Sequence, residues 1–237
     1  ISNHHNFRIK QCKILLTSAA VFDSLPLAEE NWAVLFADAA NIENVHAQNV
    51  REVKRFPLVI RAFQRVLQRL LSQLREAHRR GCDLVVFTEC ALTPFFPHWW
   101  TDDEAELNSW FETELPGPNT QPLFDEARRL RIGFSLGFAE LAIEDGITRR
   151  FNSSVLVEKD GSIVGKFRKI HLPGHTEHRP DNPFQNLEKR YFEVGDLGFQ
   201  AWNAFGGGVG MCICNDRRWP ETWRSLALAG AELIVLG

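Results

Sequence analysis

Asp83-Leu84-Val85-Val86-Phe87-Thr88-Glu89-Cys90 is a short apolar run that closes on a carboxylate and a thiol. Just before it, Ile60, Phe63, Leu67, Leu70, Leu71 and Leu74 fall at the spacing of one helical face, and Gly81 stands where a helix C-terminus favours glycine. The spacing therefore predicts a helix over 58–80 that feeds a buried strand over 83–87, an α/β arrangement. Glu89 falls at the C-terminal end of that strand, where open α/β sheets place their ligands. Further along, Thr101-Asp102-Asp103-Glu104 has capping-box spacing and predicts a helix carrying Leu107, Trp110 and Phe111, broken by Pro116-Gly117-Pro118. A second helix is expected over 122–131. Strand-like runs over 132–141, 151–158 and 162–169 are separated by Asp145-Gly146 and Asp160-Gly161, both hairpin signals. A buried strand over 209–214, a helix from Pro220 and a strand over 233–236 complete the pattern. Residues 1–57 show no sustained period of 2 or 3.6 and are left unassigned.

The 237 residues, 44% hydrophobic and 24% charged, suit one globular domain, here expected over 58–237. A net charge of -3 gives no global basic surface for nucleic acid or an anionic membrane. The Arg and Lys residues between Arg51 and Arg80 alternate with apolar residues and read as the wet side of the helix. No apolar run approaches the ~20 residues needed to cross a bilayer. Arg8, Lys10 and Lys13 before Ile14-Leu15-Leu16 have the order of a signal peptide, but Thr17, Ser18 and Asp23 cut the apolar part short. Five cysteines with no CxxC pairing argue against a disulfide scaffold or a structural zinc site, so a reducing, cytoplasmic setting is expected. His171, His175 and His178 form a cluster with roughly metal-like spacing, but no Cys, Asp or Glu completes a usual motif, and no metal or cofactor is expected.

Glu89, Lys169 and Cys214 lie far apart in sequence, yet each falls where an expected strand stops. A catalytic thiol needs a neighbouring base or cation, because an ordinary Cys is mostly protonated near neutrality. A carboxylate can take the thiol proton and hand it to a leaving amine. An ammonium group can stabilise the oxyanion formed when the thiolate adds to a carbonyl. The trio suits acyl transfer from a C–N bond to water. Spacing alone would not select it, since most cysteines in such strands are packing residues.

The words around the three residues are specific. Phe87-Thr88-Glu89, Gly165-Lys166-Phe167-Arg168-Lys169-Ile170-His171-Leu172-Pro173-Gly174 and the run from Gly210 through Cys214-Asn215-Asp216-Arg217-Arg218-Trp219-Pro220 to Glu221 resemble, in order, the three signature segments of the nitrilase superfamily. Within it the wording is closest to the N-carbamoyl-D-amino-acid amidohydrolases, with similar runs at Ala91-Leu92-Thr93, Phe95-Phe96-Pro97, His171 to His175, Phe184-Gln185 and Leu187 to Phe192. The resemblance implies an α-β-β-α sandwich, no metal, and a homo-oligomer. It implies Cys214 as nucleophile, Glu89 as general base and acid, Lys169 as oxyanion holder and Glu188 as a second, orienting carboxylate. His171, Asn215, Arg217 and Arg218 would bind substrate, and guanidinium groups suit the carboxylate of an amino acid. The aromatic run Phe95, Phe96, Trp99 and Trp100 would line a pocket for an apolar side chain or, the favoured reading, serve as core or oligomer contact.

Thr88 stands where the family generally has proline, and Asn186 where the carbamoylase pattern has histidine. The family continues past the position of Gly237, so the resemblance implies a sandwich incomplete at its C-terminal end. The expected substrate is an N-carbamoyl amino acid. An amidase of another branch is the alternative enzyme, and an inactive homologue that acts only through assembly is the non-enzymatic one.

Overall fold

The computed structural model describes residues 56–182 and 185–237, together with strand positions 14–16 and 35–36, and side chains from Phe63 onward except at Pro183 and Phe184. The charged stretch Arg8 to Lys13 and the matched residue Phe184 lie outside the described residues. Helix α1 (Phe56–Arg79) ends where Gly81 takes a φ of 72°, and the Cys82 N–H bonds back to the Ala77 carbonyl at 3.0 Å. Strand β3 (Leu84–Val86) follows at once. Its residues alternate between two cores, as a strand buried on both faces must. Val85 points to Leu70, Leu74 and Ala77 of α1 and to Leu123, Phe124 and Ala127 of helix α3 (Gln121–Leu130). Leu84 and Val86 point the other way, to Val209, Met211 and Val235 of a second sheet.

Among the described residues the larger sheet holds six strands in the order β2-β1-β3-β4-β5-β6, with β1 Ile14–Leu16, β2 Leu35–Phe36, β4 Gly133–Glu144, β5 Ile147–Val157 and β6 Ile163–Arg168. The smaller sheet is β7 (Ala201–Ala204), β8 (Gly207–Cys212) and β9 (Leu233–Leu236), with β8 and β9 parallel. Helix α5 (Pro220–Leu228) packs Leu226 against Gly210 on the outer face of β8. The layers are thus helix, sheet, sheet, helix, a mixed α/β sandwich, and the two Asp-Gly pairs close hairpins between β4, β5 and β6 as expected.

Several expectations need correction. The stretch left unassigned supplies the strand next to β3: Ile14-Leu15-Leu16, read above only as a weak leader-like run, pairs in parallel with Leu84-Val85-Val86. Helix α2 (Glu104–Asn108) is capped by Asp103, whose carboxylate accepts from the Ala105 and Glu106 N–H groups, and not by Thr101. It stops after five residues, so Trp110 and Phe111 lie beyond it. Phe111 still reaches a third core with Phe96, Leu187, Tyr191 and Phe192. β8 ends at Cys212, and Cys214 opens a 3-10 turn, Cys214–Arg218, instead of closing the strand. β7 and the one-turn helix α4 (Glu188–Tyr191) were not anticipated.

Candidate active site

Three chain reversals converge at one end of the two sheets. After β3, Thr88-Glu89 turns away over Gly137 of β4, where an added Cβ would lie 2.5 Å from the Thr88 carbonyl and 2.8 Å from the Glu89 Cα. Only glycine permits this approach, so β4 sets the height at which Glu89 leaves the sheet. Past the end of β6, the Lys169 N–H bonds to the Asn152 carbonyl on β5 at 2.8 Å, which carries the side chain under Glu89. Beyond β8, Cys214 adopts a φ of 43°, an uncommon left-handed conformation for a residue with a side chain, while its N–H bonds to the Gly237 carbonyl at 3.0 Å. Strain of this kind turns the thiol out of the strand plane and toward the carboxylates.

Lys169 is fully buried, and its Nζ donates to Glu89 Oε1 and to Glu188 Oε2, each at 2.6 Å. Burial opposes its charge, but the two carboxylates outweigh burial and hold its pKa above the usual lysine value. The ammonium therefore persists through neutral pH and acts as a cation, never as a base. Glu188 is pushed up to about 7, first by burial and then by the negative charge of Glu89, against the pull of Lys169. The Cys214 thiol is raised by burial and by Glu89, with which it shares a hydrogen bond. It is not a preformed thiolate, and Glu89 is the carboxylate that stands beside its proton.

A cavity of about 330 Å³ opens over this cluster. Glu89, Glu188 and Cys214 lie in its wall with Asn215, Arg217, Arg218, Phe95, Pro173 and Asn186. Lys169 sits behind that wall. Of the residues singled out from sequence, the structure brings Glu89, Lys169, Glu188, Cys214, Asn215, Arg217 and Arg218 together. The Arg217 guanidinium donates to the Cys214 carbonyl at 2.8 Å, and both arginines are exposed at the mouth.

His171 is not brought to the cavity. Its N–H and its Nδ1 both engage Asp216 Oδ1, at 2.9 and 2.7 Å, and its ring stacks on Trp219 with centroids 4.9 Å apart. In the structure His171 ties the loop after Lys169 to the turn after Cys214. His175 bonds the Glu177 carbonyl through Nδ1 and His178 stacks on Trp100, so the three histidines face different partners. Among the described residues no group of three or more His, Cys, Asp or Glu is placed to hold a metal ion. The aromatic run divides: Phe96 is core, Phe95 lines the cavity, and Trp99 is exposed.

Two residues of the site were missed in the sequence. Asp216, fully buried, accepts from His171 and from the Ile213 N–H at 3.1 Å, which pins the turn that opens at Cys214. Asn152, also fully buried, donates from Nδ2 to Glu89 Oε1 at 2.6 Å. A signal existed for the second: Asn152-Ser153-Ser154 is a polar run inside a strand buried on both faces, and buried polar groups need partners.

Among the described cysteines, Cys82, Cys90 and Cys212 are buried and only Cys214 is partly open. Brief treatment of the native chain with iodoacetamide, followed by peptide mass mapping, is expected to label Cys214 well before those three. Its rate should keep rising through the pH range of an ordinary thiol, because burial and Glu89 raise its pKa. Labelling of Cys212 first would contradict the placement.

Comparison with known proteins agrees with this geometry. Residues 54–237 match the family model described as carbon-nitrogen hydrolase. The chain is 28% identical over 161 residues to an N-carbamoylputrescine amidase of Arabidopsis thaliana, covering 68% of this chain and 49% of that protein. It is 37% identical over 163 residues to a nitrilase of Pyrococcus abyssi, covering 68% and 54%. A citrullinase of Francisella tularensis is 27% identical over 169 residues, covering 71% and 54%. The chain thus spans about half the length of the curated relatives it matches. Among solved structures, a carbon-nitrogen hydrolase from Helicobacter pylori G27 superposes with a TM-score of 0.60 at 28% identity, over 73% of this chain and 54% of the other. Among the described residues no helix is long and apolar enough to cross a membrane.

Proposed function

The chain belongs to the carbon-nitrogen hydrolase family, and we propose that it hydrolyses an N-carbamoyl amino acid, of the D series by its motif wording, through a thioester-like intermediate on Cys214. The observation that carries this reading is a cavity with the Cys214 thiol and Glu89 in its wall, Lys169 behind them, and two arginines at its mouth. Glu89 takes the thiol proton as sulfur adds to the carbamoyl carbon. The oxyanion draws on the positive charge of Lys169 and on the low-dielectric setting that strengthens it. Glu89 returns the proton to the departing amine, and ammonia leaves. Glu89 then takes a proton from water as it attacks the thioester carbon, the C–S bond breaks with that proton passing to the Cys214 sulfur, and the carbamate released falls apart to CO2 and the amino acid. Glu188, at about 7, keeps Lys169 centred between two carboxylates.

Arg217 and Arg218 favour a substrate bearing a carboxylate and disfavour one ending in an ammonium group. Relatives named for N-carbamoylputrescine and for citrulline support a carbamoyl group as the bond cleaved. A second reading, a simple amidase, is supported by Asn186, which lines the cavity where the carbamoylase pattern has histidine. A homo-oligomer is part of the proposal, supported by the exposure of Trp219, Trp223 and Leu228 on and beside α5.

The test is release of ammonia and CO2 from N-carbamoyl-D-phenylalanine, beside ammonia release from a plain aliphatic amide. Ammonia and CO2 together identify the carbamoylase, and ammonia from the plain amide alone identifies the amidase. In the first case Arg217→Ala and Arg218→Ala should each raise KM for the carbamoyl substrate about tenfold or more, since a hydrogen bond to a charged group carries about 1.5–3 kcal/mol. The same variants should leave KM for an uncharged amide nearly unchanged, and a parallel rise for both substrates would remove the arginines from carboxylate recognition.

A further inference from the structure

Asn152 lies in the middle of β5 with no access to solvent, and it does not line the cavity. Its side chain nevertheless meets the reacting groups. Nδ2 donates to Glu89 Oε1 at 2.6 Å, and the same amide also hydrogen-bonds Glu188. Oδ1 accepts from the Cys90 thiol at 3.9 Å, and the backbone carbonyl holds the Lys169 N–H. The amide can point only one way, because both carboxylates need a donor and the Cys90 thiol needs an acceptor. Lys169 and Asn152 thus bridge the same two carboxylates, one as a cation and the other as a neutral donor.

Resting on the hydrolase reading above, we infer that Asn152 is a positioning residue for the reaction: it fixes the Glu89 carboxylate so that Oε1 is saturated by Lys169 and Asn152 and Oε2 faces the Cys214 thiol. A neutral donor is required at this place. Two carboxylates and one ammonium already leave a net negative charge, and a third carboxylate would set like charges against each other in a buried site. A second cation would tie up the base. Without the amide, Glu89 keeps one partner on Oε1 and can rotate, so the proton transfer loses its alignment while substrate binding at the cavity mouth is untouched.

Wild-type chain, Asn152→Asp and Asn152→Ala are compared by circular dichroism, by the pH midpoint of Cys214 alkylation with iodoacetamide, and by kcat and KM on whichever amide or carbamoyl substrate the wild type turns over. Aspartate has the shape of asparagine but adds negative charge, and alanine removes the donor that tempers the charge of Glu89. Both should raise the alkylation midpoint, aspartate by about one unit or more and alanine by less. Both should lower kcat about tenfold to a hundredfold, the range typical of outer hydrogen-bond partners, with KM within about twofold. An unchanged midpoint in a folded variant overturns the inference, as does a rise in KM that matches the fall in kcat. Where only one variant folds, that variant decides. If neither folds, the inference is also overturned, because Asn152 then holds the sheet and not the site. Alkylation needs no turnover, so a wild type inert on every substrate would defeat the hydrolase reading while the midpoints still judge the placement of Asn152.

Discussion

Replacing Cys214 by alanine is expected to abolish amine release from any substrate the chain turns over, a fall of about 10⁴-fold or more, because the covalent intermediate of the proposed mechanism cannot form without the thiol. The fold should persist. Cys214 is a partly open cavity residue whose backbone, not its thiol, bonds the Gly237 carbonyl, so alanine removes one sulfur from a wall already in contact with solvent. Cys212 is the natural control. It is 1% exposed, lies on the face of β8 opposite Met211, and its thiol is pushed up to about 12 by burial and then by Asp216. Cys212→Ala should retain turnover and lose stability instead, by about 1 kcal/mol or somewhat more for the small cavity left behind. Ammonia release and urea midpoints on the two variants separate the roles, and retained turnover in Cys214→Ala would sink the assignment.

The contrast between these two cysteines shows what the sequence could and could not say. Residues two apart on a strand share a face, so alternation alone left Cys212 and Cys214 equivalent. What distinguishes them is that β8 stops at Cys212 and the chain then turns through a left-handed φ, which no apolar pattern announces. The long elements were legible because their periods are long: α1 repeats its stripe over many turns, and the β4-β5-β6 meander carries an Asp-Gly at each reversal. β1 was not, since three residues cannot establish a period and their partner strand lies far along the chain. Thr101 lost the cap to Asp103 because both spacings satisfy the motif and only the entry angle of the chain chooses between them. In the site, motif wording led to Glu89, Lys169, Glu188 and Cys214, all of which meet. It did not disclose the pairing of His171 with Asp216, which sits in another segment, and it passed over Asn152, whose value depends on two carboxylates from distant turns.

Lys169→Met is expected to do more damage to stability than any other single change in the site, and more at pH 8 than at pH 6. Methionine roughly fills the volume but leaves Glu89 and Glu188 facing each other with only Asn152 between them. Removing one partner from a buried ion pair typically costs about 3–5 kcal/mol, because the charge left behind is neither solvated nor paired. The pH dependence follows from Glu188. A carboxyl whose folded pKa lies above its unfolded value holds its proton more tightly in the fold, so the fold loses stability as pH rises from the unfolded value toward the folded one. In the wild type that loss ends near 7, the value to which burial and Glu89 push Glu188. Taking away the ammonium raises the folded value further, so in the variant the loss continues above 7. The lysine itself adds no slope there, since its pKa is raised and its stabilisation is intact below the ordinary lysine range. Urea midpoints should therefore differ most between wild type and variant at pH 8 and draw together at pH 6. Turnover should fall by at least about 10²–10³-fold at both pH values, as for the loss of an oxyanion donor. Lys169→Arg should not restore it, because a planar fork cannot enter a space shaped for one Nζ at 2.6 Å from two oxygens. Equal midpoints for Lys169→Met and wild type at pH 8 would mean that the two carboxylates are not buried together around this lysine, and the electrostatic account of the site would fall with them.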